Sequence, residues 1–203
     1  VPRVGETQGV VYGQFFELRE PDGHSEKFSI SVLSAYRARG ACCFRDLNGL
    51  WASVIWDSAG QEAYFTRDCI GGQTLYAARL DGRIVFATDL RAFYAGGMLR
   101  TYDEEAVAQF LHYLYIPAPR TLAEGCIAVL PGHVLSMGTS THQEKYAAPR
   151  FVTGGKIGSS NDIEREIERQ LPAFEDKLLT AVADCIPDNG RVALALSGGK
   201  DSS

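Results

Sequence analysis

Residues 73–89, "QTLYAARLDGRIVFATD", constrain the fold more tightly than any other stretch of this chain. Two runs rich in β-formers flank Asp81-Gly82, and an Asp-Gly pair favours the positive φ values of a two-residue hairpin turn. A second antiparallel pair is predicted just upstream. Residues 50–57, "LWASVIWD", read as a buried strand, 57–60 as its turn, and 62–67, "EAYFTR", as the strand pairing back. A chain with so many antiparallel pairs close in sequence must build a layered β core.

Other segments fit round that core. Residues 9–18 read as a strand with a turn or bulge at Gly13. Residues 29–40 place Ile30, Val32, Leu33 and Tyr36 near helical spacing, with Gly40 where a C-cap belongs. Residues 89–97 read as a short helix ended by Gly96. Residues 101–117 read as a longer helix with a capping box from Thr101 and Glu104. Its Val107, Phe110, Leu111 and Leu114 fall at i, i+3, i+4 and i+7, which predicts one buried face. Two short strands are expected around Pro131-Gly132.

The pattern changes near residue 150. Residues 149–160 lose periodicity and gather Gly and Ser, as a linker does. This divides the chain into a domain at 1–150, a linker at 151–160 and a fragment at 161–203. The fragment opens with a helix capped by Asn161 and Glu164. Ile163, Ile167 and Leu171 line one face, Pro172 breaks or restarts the helix, and Phe174, Leu178, Leu179 and Val182 continue the apolar face. Residues 191–197, "RVALALS", form a continuous apolar run, the pattern of a strand buried on both faces of a parallel sheet.

Directly after that run stands Ser197-Gly198-Gly199-Lys200-Asp201-Ser202-Ser203. Ligands of doubly wound sheets bind beyond the carboxyl ends of the strands. Paired glycines let backbone amides approach an anion, Ser hydroxyls add donors, and Asp201 offers an oxygen ligand for Mg²⁺. The spacing differs from the common G-x-x-x-x-G-K-[ST] phosphate loop. Lys200 is read either as added charge beside the phosphates or as a solvated side chain.

The chain resembles asparagine synthetase and its relatives. "ALSGGKDSS" is similar to the pyrophosphate loop of the N-type ATP pyrophosphatases. "LNGLWASVIWD" (47–57), "TRDCIGGQTLYAA" (66–78), "RIVFATDLRA" (83–92) and "YIPAPRTLAEGCIAVLPGH" (115–133) follow the family's order. The resemblance implies an α+β protein: an αββα sandwich of the N-terminal-nucleophile type, then the first helix and strand of a truncated α/β ATP-pyrophosphatase domain. It implies ATP and Mg²⁺ as cofactors, with Ser197, Gly198, Gly199, Lys200, Asp201, Ser202 and Ser203 at the pyrophosphate and Asp201 as metal ligand. It implies adenylation of a small-molecule or peptide carboxylate, followed by amine attack. Arg67, Asp68 and Gly71 match the family's "RD…G" turn; Arg67 and Asp68 are read as tying a tight loop to the sheet. Arg120, in "PAPR", is read as bracing an inter-domain face or as solvated.

The resemblance also has breaks. The family nucleophile is an amino-terminal Cys whose own amine is the base. Position 1 is Val, and the five cysteines, Cys42, Cys43, Cys69, Cys126 and Cys185, are internal. Catalytic residues are therefore expected to be absent from this chain. Tyr12-Gly13-Gln14 stands where the family has Asn-Gly-Glu. Phe28 and Ile30 stand where it has an Asp-x-Glu pair ahead of the helix, and neither can hold an ammonium group. Two explanations compete: a natural protein that extends beyond Val1, or a glutaminase half decayed into a scaffold. Phe28 and Ile30 favour decay. β-Lactam synthetases and lasso-peptide cyclases, which do not use glutamine, are the alternatives within the family. A non-catalytic scaffold is the alternative outside it.

The charge of −5 argues against bulk nucleic-acid binding, and no apolar run is long enough to cross a bilayer. The cysteines form no C-x-x-C pair and read as buried reduced thiols of a cytoplasmic protein. A partnerless apolar strand at 191–196 would invite aggregation, so the natural protein is expected to continue past Ser203. A homo-oligomer, or packing against a C-terminal synthetase domain, is expected.

Overall fold

The computed structural model describes residues 1–15, 26–149, 159–186, 192–194 and 197–199. They fall into two units, one within 1–149 and one within 159–199.

The first unit contains two antiparallel sheets. Strands β1 (Arg3–Val4), β2 (Thr7–Phe15), β3 (Gly49–Asp57), β4 (Glu62–Arg67), β8 (His133–Met137) and β9 (Thr141–Lys145) form a six-stranded sheet in the order β1-β2-β3-β4-β8-β9. Strands β5 (Tyr76–Leu80), β6 (Arg83–Ala87) and β7 (Cys126–Ala128) form a three-stranded sheet in the order β6-β5-β7. The β5–β6 hairpin turns at Asp81 and Gly82, with φ values of 48° and 74°. That is the left-handed region a two-residue hairpin demands. Helix α1 (Glu26–Arg39), a 3₁₀ turn (Gly40–Asp46), helix α2 (Arg91–Ala95) and helix α3 (Glu104–Tyr113) complete the unit.

Side-chain alternation along the strands separates three cores. Trp51 and Ile55 of β3 join Val11, Leu33 and Phe44 on the face covered by α1 and the 3₁₀ turn. Ala52 of β3 joins Phe65, Leu75, Ala77 and Leu135 between the sheets. Ala78, the neighbour of Ala77, turns the other way and packs with Phe93 of α2, Leu99 and Ala123. The layers therefore run helix, sheet, sheet, helix: an α+β fold of αββα type. Trp51, Phe44, Phe65, Phe93 and Leu33 are fully buried, each stabilising by roughly 1.5–3 kcal/mol.

Several boundaries differ from the sequence reading. Helix α1 starts at Glu26, so Phe28 and Ile30 lie inside it rather than ahead of it. The N-cap of α3 is Asp103, whose side chain accepts from Ala106 N, not Thr101. The face expected to be buried on α3 is exposed: Leu111 is 74% and Leu114 79% accessible, and only Ala106 is buried. An amphipathic stripe signals a face that needs a partner, and the first unit does not supply one. Strand β9 has no counterpart in the sequence reading. Its polar sequence, Thr-His-Gln-Glu-Lys, carries no β signal and is held by pairing with β8.

The second unit contains α4 (Ser160–Cys185), which runs through Pro172 without a break. Its capping box uses Ser159 and Asp162 rather than Asn161 and Glu164. Most of the linker expected at 151–160, and Lys200 to Ser203, lie outside the described residues. The strand expected at 191–196 is not seen among the described residues 192–194, where Val192 and Leu194 are 63% and 79% exposed. A buried parallel strand requires neighbours on both sides, and the described residues of this unit offer none. No described helix is long and apolar enough to cross a membrane.

Candidate functional site

One end of the six-stranded sheet collects three segments that are distant in sequence. Tyr12, Gly13 and Gln14 of β2 stand opposite Ala52, Trp51 and Leu50 of β3. Alternation turns Tyr12 toward the inter-sheet side, where Ala52 also points, and leaves it 38% exposed. Gly13 has φ 147°, and a Cβ there would lie 2.2 Å from Leu50 O and 2.4 Å from Trp51 Cα. Only glycine fits so close an approach. The start of α1 reaches the same strand, where Val11 N donates to Ser29 Oγ at 3.4 Å. Ile30 beside it is 39% exposed.

The third segment is the turn after β4. Asp68 is 2% exposed, and its carboxylate is a hub for backbone amides. Oδ1 accepts from Ile70 N, Gly71 N and Gly72 N at 3.0, 2.6 and 3.0 Å. Oδ2 accepts from Trp51 N and Gln73 N at 3.2 and 3.3 Å. Five backbone amides thus satisfy both oxygens of a buried carboxylate. Both oxygens are occupied, so Asp68 is in no position to grip a ligand's ammonium group or to act as a base.

Arg67 clamps the same loop from outside. Nη1 donates to Val129 O at 3.1 Å and Nη2 to Gly71 O at 2.6 Å. Desolvation pushes its guanidinium below the usual arginine range. Gly71 has φ 83°, and a Cβ there would sit 2.8 Å from both Arg67 Nη2 and Pro131 Cγ. Tyr146 OH donates to Arg67 O at 2.8 Å, and its ring lies 5.7 Å from Phe44 and 6.4 Å from Trp51. The sequence gives no sign of Tyr146, because these partners lie on three separated segments.

Arg120 holds the start of α3. Nη1 meets Asp103 Oδ2 at 2.6 Å and Nη2 meets Glu105 Oε2 at 2.7 Å. The Ala106 amide, and then Arg120, hold the Asp103 carboxyl below its ordinary value. A planar fork suits two acceptors at once, as an ammonium would not.

All five thiols are free, but not all are buried: Cys42 and Cys185 are exposed and Cys69 half-buried. Burial pushes the Cys43 and Cys126 thiols up to about 11, which keeps them protonated and unreactive near neutral pH. Among the described residues no group of three His, Cys, Asp or Glu side chains can hold a metal ion.

In the second unit, Ser197, Gly198 and Gly199 are exposed, and Gly198 adopts φ 75°. Lys200, Asp201, Ser202 and Ser203 lie outside the described residues, so the structure does not place them beside the first three.

A family model described as "Glutamine amidotransferase domain" matches residues 22–147. The chain belongs to the glutamine amidotransferase domain family. That stretch takes in α1, the Asp68 turn and both sheets from β3 onward. Ser197 to Ser203 lie outside the matched stretch.

Individual relatives of this amidotransferase domain are distant. "Amidase chyE" of Penicillium rubens is 29% identical over 172 residues, covering 85% of this chain and 25% of that protein. "Asparagine synthetase [glutamine-hydrolyzing] 1" of Bacillus subtilis is 26% identical over 183 residues, covering 85% and 26%. The chain thus spans about a quarter of the length of these relatives. Among solved structures, the glutamine phosphoribosylpyrophosphate amidotransferase of B. subtilis aligns with a TM-score of 0.42 and 14% identity, over 72% of this chain and 31% of that one.

Proposed function

We propose that this chain carries the amidotransferase half, and the opening of the adenylating half, of an ATP-dependent amide-forming synthetase of asparagine synthetase type. The observation that carries the reading is the order within one chain: an amidotransferase domain at 22–147, then Ser-Gly-Gly-Lys-Asp-Ser at 197–202. The similarity to glutamine-hydrolyzing asparagine synthetase supports it.

The glutaminase half is proposed to be silent toward glutamine. Tyr12 and Ile30 put no carboxylate at the sheet end where the amino group of glutamine would be held. Asp68, the buried carboxylate there, has both oxygens taken by backbone amides. An unpaired ammonium at this place would bear its full desolvation cost.

The described part of the loop fits an anion. Gly198 has φ 75° and open space where a Cβ would stand, so its backbone is free to face a phosphate. Gly198 and Gly199 would offer amides, and Ser197 and Ser202 hydroxyls, to the pyrophosphate; Asp201 would hold Mg²⁺. ATP, as substrate, supplies the adenylyl group that activates a carboxylate. The loop's part is to stabilise negative charge growing on the departing pyrophosphate.

The test is ATP-dependent pyrophosphate release by the protein containing this chain, with aspartate and either ammonium or glutamine supplied. Release with ammonium and none with glutamine is expected. Equal release with glutamine overturns the silent glutaminase. Mg-ATP binding without release removes aspartate and directs attention to an amine within the substrate, as in β-lactam or macrolactam closure. A folded protein that fails to bind Mg-ATP overturns the synthetase reading and leaves a scaffold.

A further inference from the structure

The outer face of the six-stranded sheet is unevenly covered. Helix α1 packs chiefly on β1 and β2. Between the α1–3₁₀ segment and strands β4, β8 and β9 lies a cavity of about 190 Å³. Residues directly opposite one another in an antiparallel pair share a face of the sheet. Val134 stands opposite Glu144 and belongs to the core on the α1 side. Glu144 therefore faces the cavity, as does His142 two residues before it. Lys145, opposite His133, turns to the other face. Tyr12 stands opposite Ala52 of the inter-sheet core, so the sheet separates it from the cavity.

The cavity has an apolar floor and a charged rim. Val134 and Tyr146 are buried, and the rings of Tyr36 and Tyr64, 5.4 Å apart, line it with them. Tyr64 OH donates to Glu62 Oε2 at 2.8 Å, so its proton is already committed and its ring is what it offers. At the rim, Arg45 and Glu144 are exposed. Arg45 Nε donates to Tyr146 O at 2.7 Å. Its terminal nitrogens make no hydrogen bond or ion pair among the described residues, and neither does the Glu144 carboxylate. A guanidinium and a carboxylate thus line one cavity without meeting. Opposite charges held apart over an apolar floor match a ligand that carries both charges beside an apolar group. Holding Arg45 by its Nε removes side-chain freedom before any ligand arrives, which favours binding.

We propose that this cavity binds a free α-amino acid with a small apolar side chain. The ligand carboxylate accepts from the terminal nitrogens of Arg45, whose planar fork suits two oxygens. The ligand ammonium donates to Glu144, and the side chain lies on Val134 and the tyrosine rings. The volume suits an amino acid of the size of valine and is too small for a nucleotide. A plain carboxylate or a plain amine leaves one rim charge unanswered, so the zwitterion is preferred. This site is separate from the glutamine end and from the 197–203 loop, so it stands or falls independently of the proposed synthetase activity.

Titration of the 203-residue chain at pH 7 tests it, with L-valine in one arm, isovalerate in the second and isobutylamine in the third, ionic strength being held constant with sodium chloride. Amide chemical shifts of residues 142–146 report occupancy. Protection of Cys42, exposed and part of the lining, from iodoacetamide reports it independently. Saturable binding of valine is expected, about tenfold tighter than either half-ligand. Arg45→Gln and Glu144→Gln should each weaken valine about tenfold, since each removes a charge-assisted contact. Glu144→Gln should leave isovalerate no weaker, and Lys145→Ala, on the other face, should leave valine binding unchanged. Glu144 is exposed on the edge strand, so its variant keeps the fold even where loss of the Arg45–Tyr146 bond loosens the 3₁₀ turn. No saturable binding of valine, or isovalerate or isobutylamine binding as tightly as valine, overturns the proposal. So does a Glu144→Gln variant that binds valine as the parent does, or a Lys145→Ala variant weakened as much as Glu144→Gln.

Discussion

At the scale of single residues, the densest set of dependencies converges on Asp68. Its two oxygens take five amides from 51 and 70–73, so one carboxylate fixes the loop and joins it to β3. Asp68→Ala would leave those amides without their acceptor. A loss of about 3 kcal/mol in unfolding free energy is expected in urea titration. Gly71→Ala forces a Cβ into the left-handed region and against Arg67 and Pro131, with about 2 kcal/mol expected in the same assay. A result within about 0.5 kcal/mol of the parent for both would mean that the loop is not a stabilising element.

At the scale of elements, α1 and α3 differ in where their apolar residues go. Leu33 of α1 is fully buried against the large sheet, whereas Leu111 of α3 is mostly exposed. Leu33→Ala should cost about 3 kcal/mol, and Leu111→Ala less than about 0.5 kcal/mol, by thermal or chemical denaturation of this chain. Equal effects would place α3 in a core after all. Helix α4 is stabilised from its own sequence. The Ser159 hydroxyl and backbone amide hold the Asp162 carboxyl below its ordinary value. A lowered folded value means that this contribution is present above the ordinary carboxyl range and is lost as pH falls through the lowered value. Ser159→Ala should therefore reduce amide protection at the start of α4 at pH 7, and reduce it less once Asp162 is protonated, when only the backbone bond accepted by the Ser159 hydroxyl is lost.

At the scale of the whole molecule, burial sorts the thiols. Cys42 and Cys185 are exposed, while burial pushes Cys43 and Cys126 up to about 11. Iodoacetamide at pH 8 should modify the first two in the folded chain and the latter two only after unfolding, as peptide mass spectrometry would show. A raised folded value stabilises the fold below the ordinary thiol range, and that contribution is lost as pH rises through about 11. Stability should fall over that alkaline window, and replacing Cys43 and Cys126 with Ala should flatten the fall.

Several features depend only on neighbours in the chain. Asp81-Gly82 sets the β5–β6 turn, Gly40 takes the left-handed conformation where α1 gives way to the 3₁₀ turn, and β3 and β4 follow from two short runs of β-formers joined by a turn. These features need only local φ, ψ and side-chain periodicity. Tertiary structure decided the rest. It left the apolar stripe of α3 open, because burial requires a partner that periodicity cannot supply. It made a strand of Thr141–Lys145, because β8 offers an edge to a polar segment. It also brought Trp51 N to Asp68 and Tyr146 to Arg67, contacts that exist only once β3, β4 and the chain after β9 are assembled. Caps fell between the two: Asp103 and Ser159 won over Thr101 and Asn161, because helix starts are fixed by where the preceding backbone can turn.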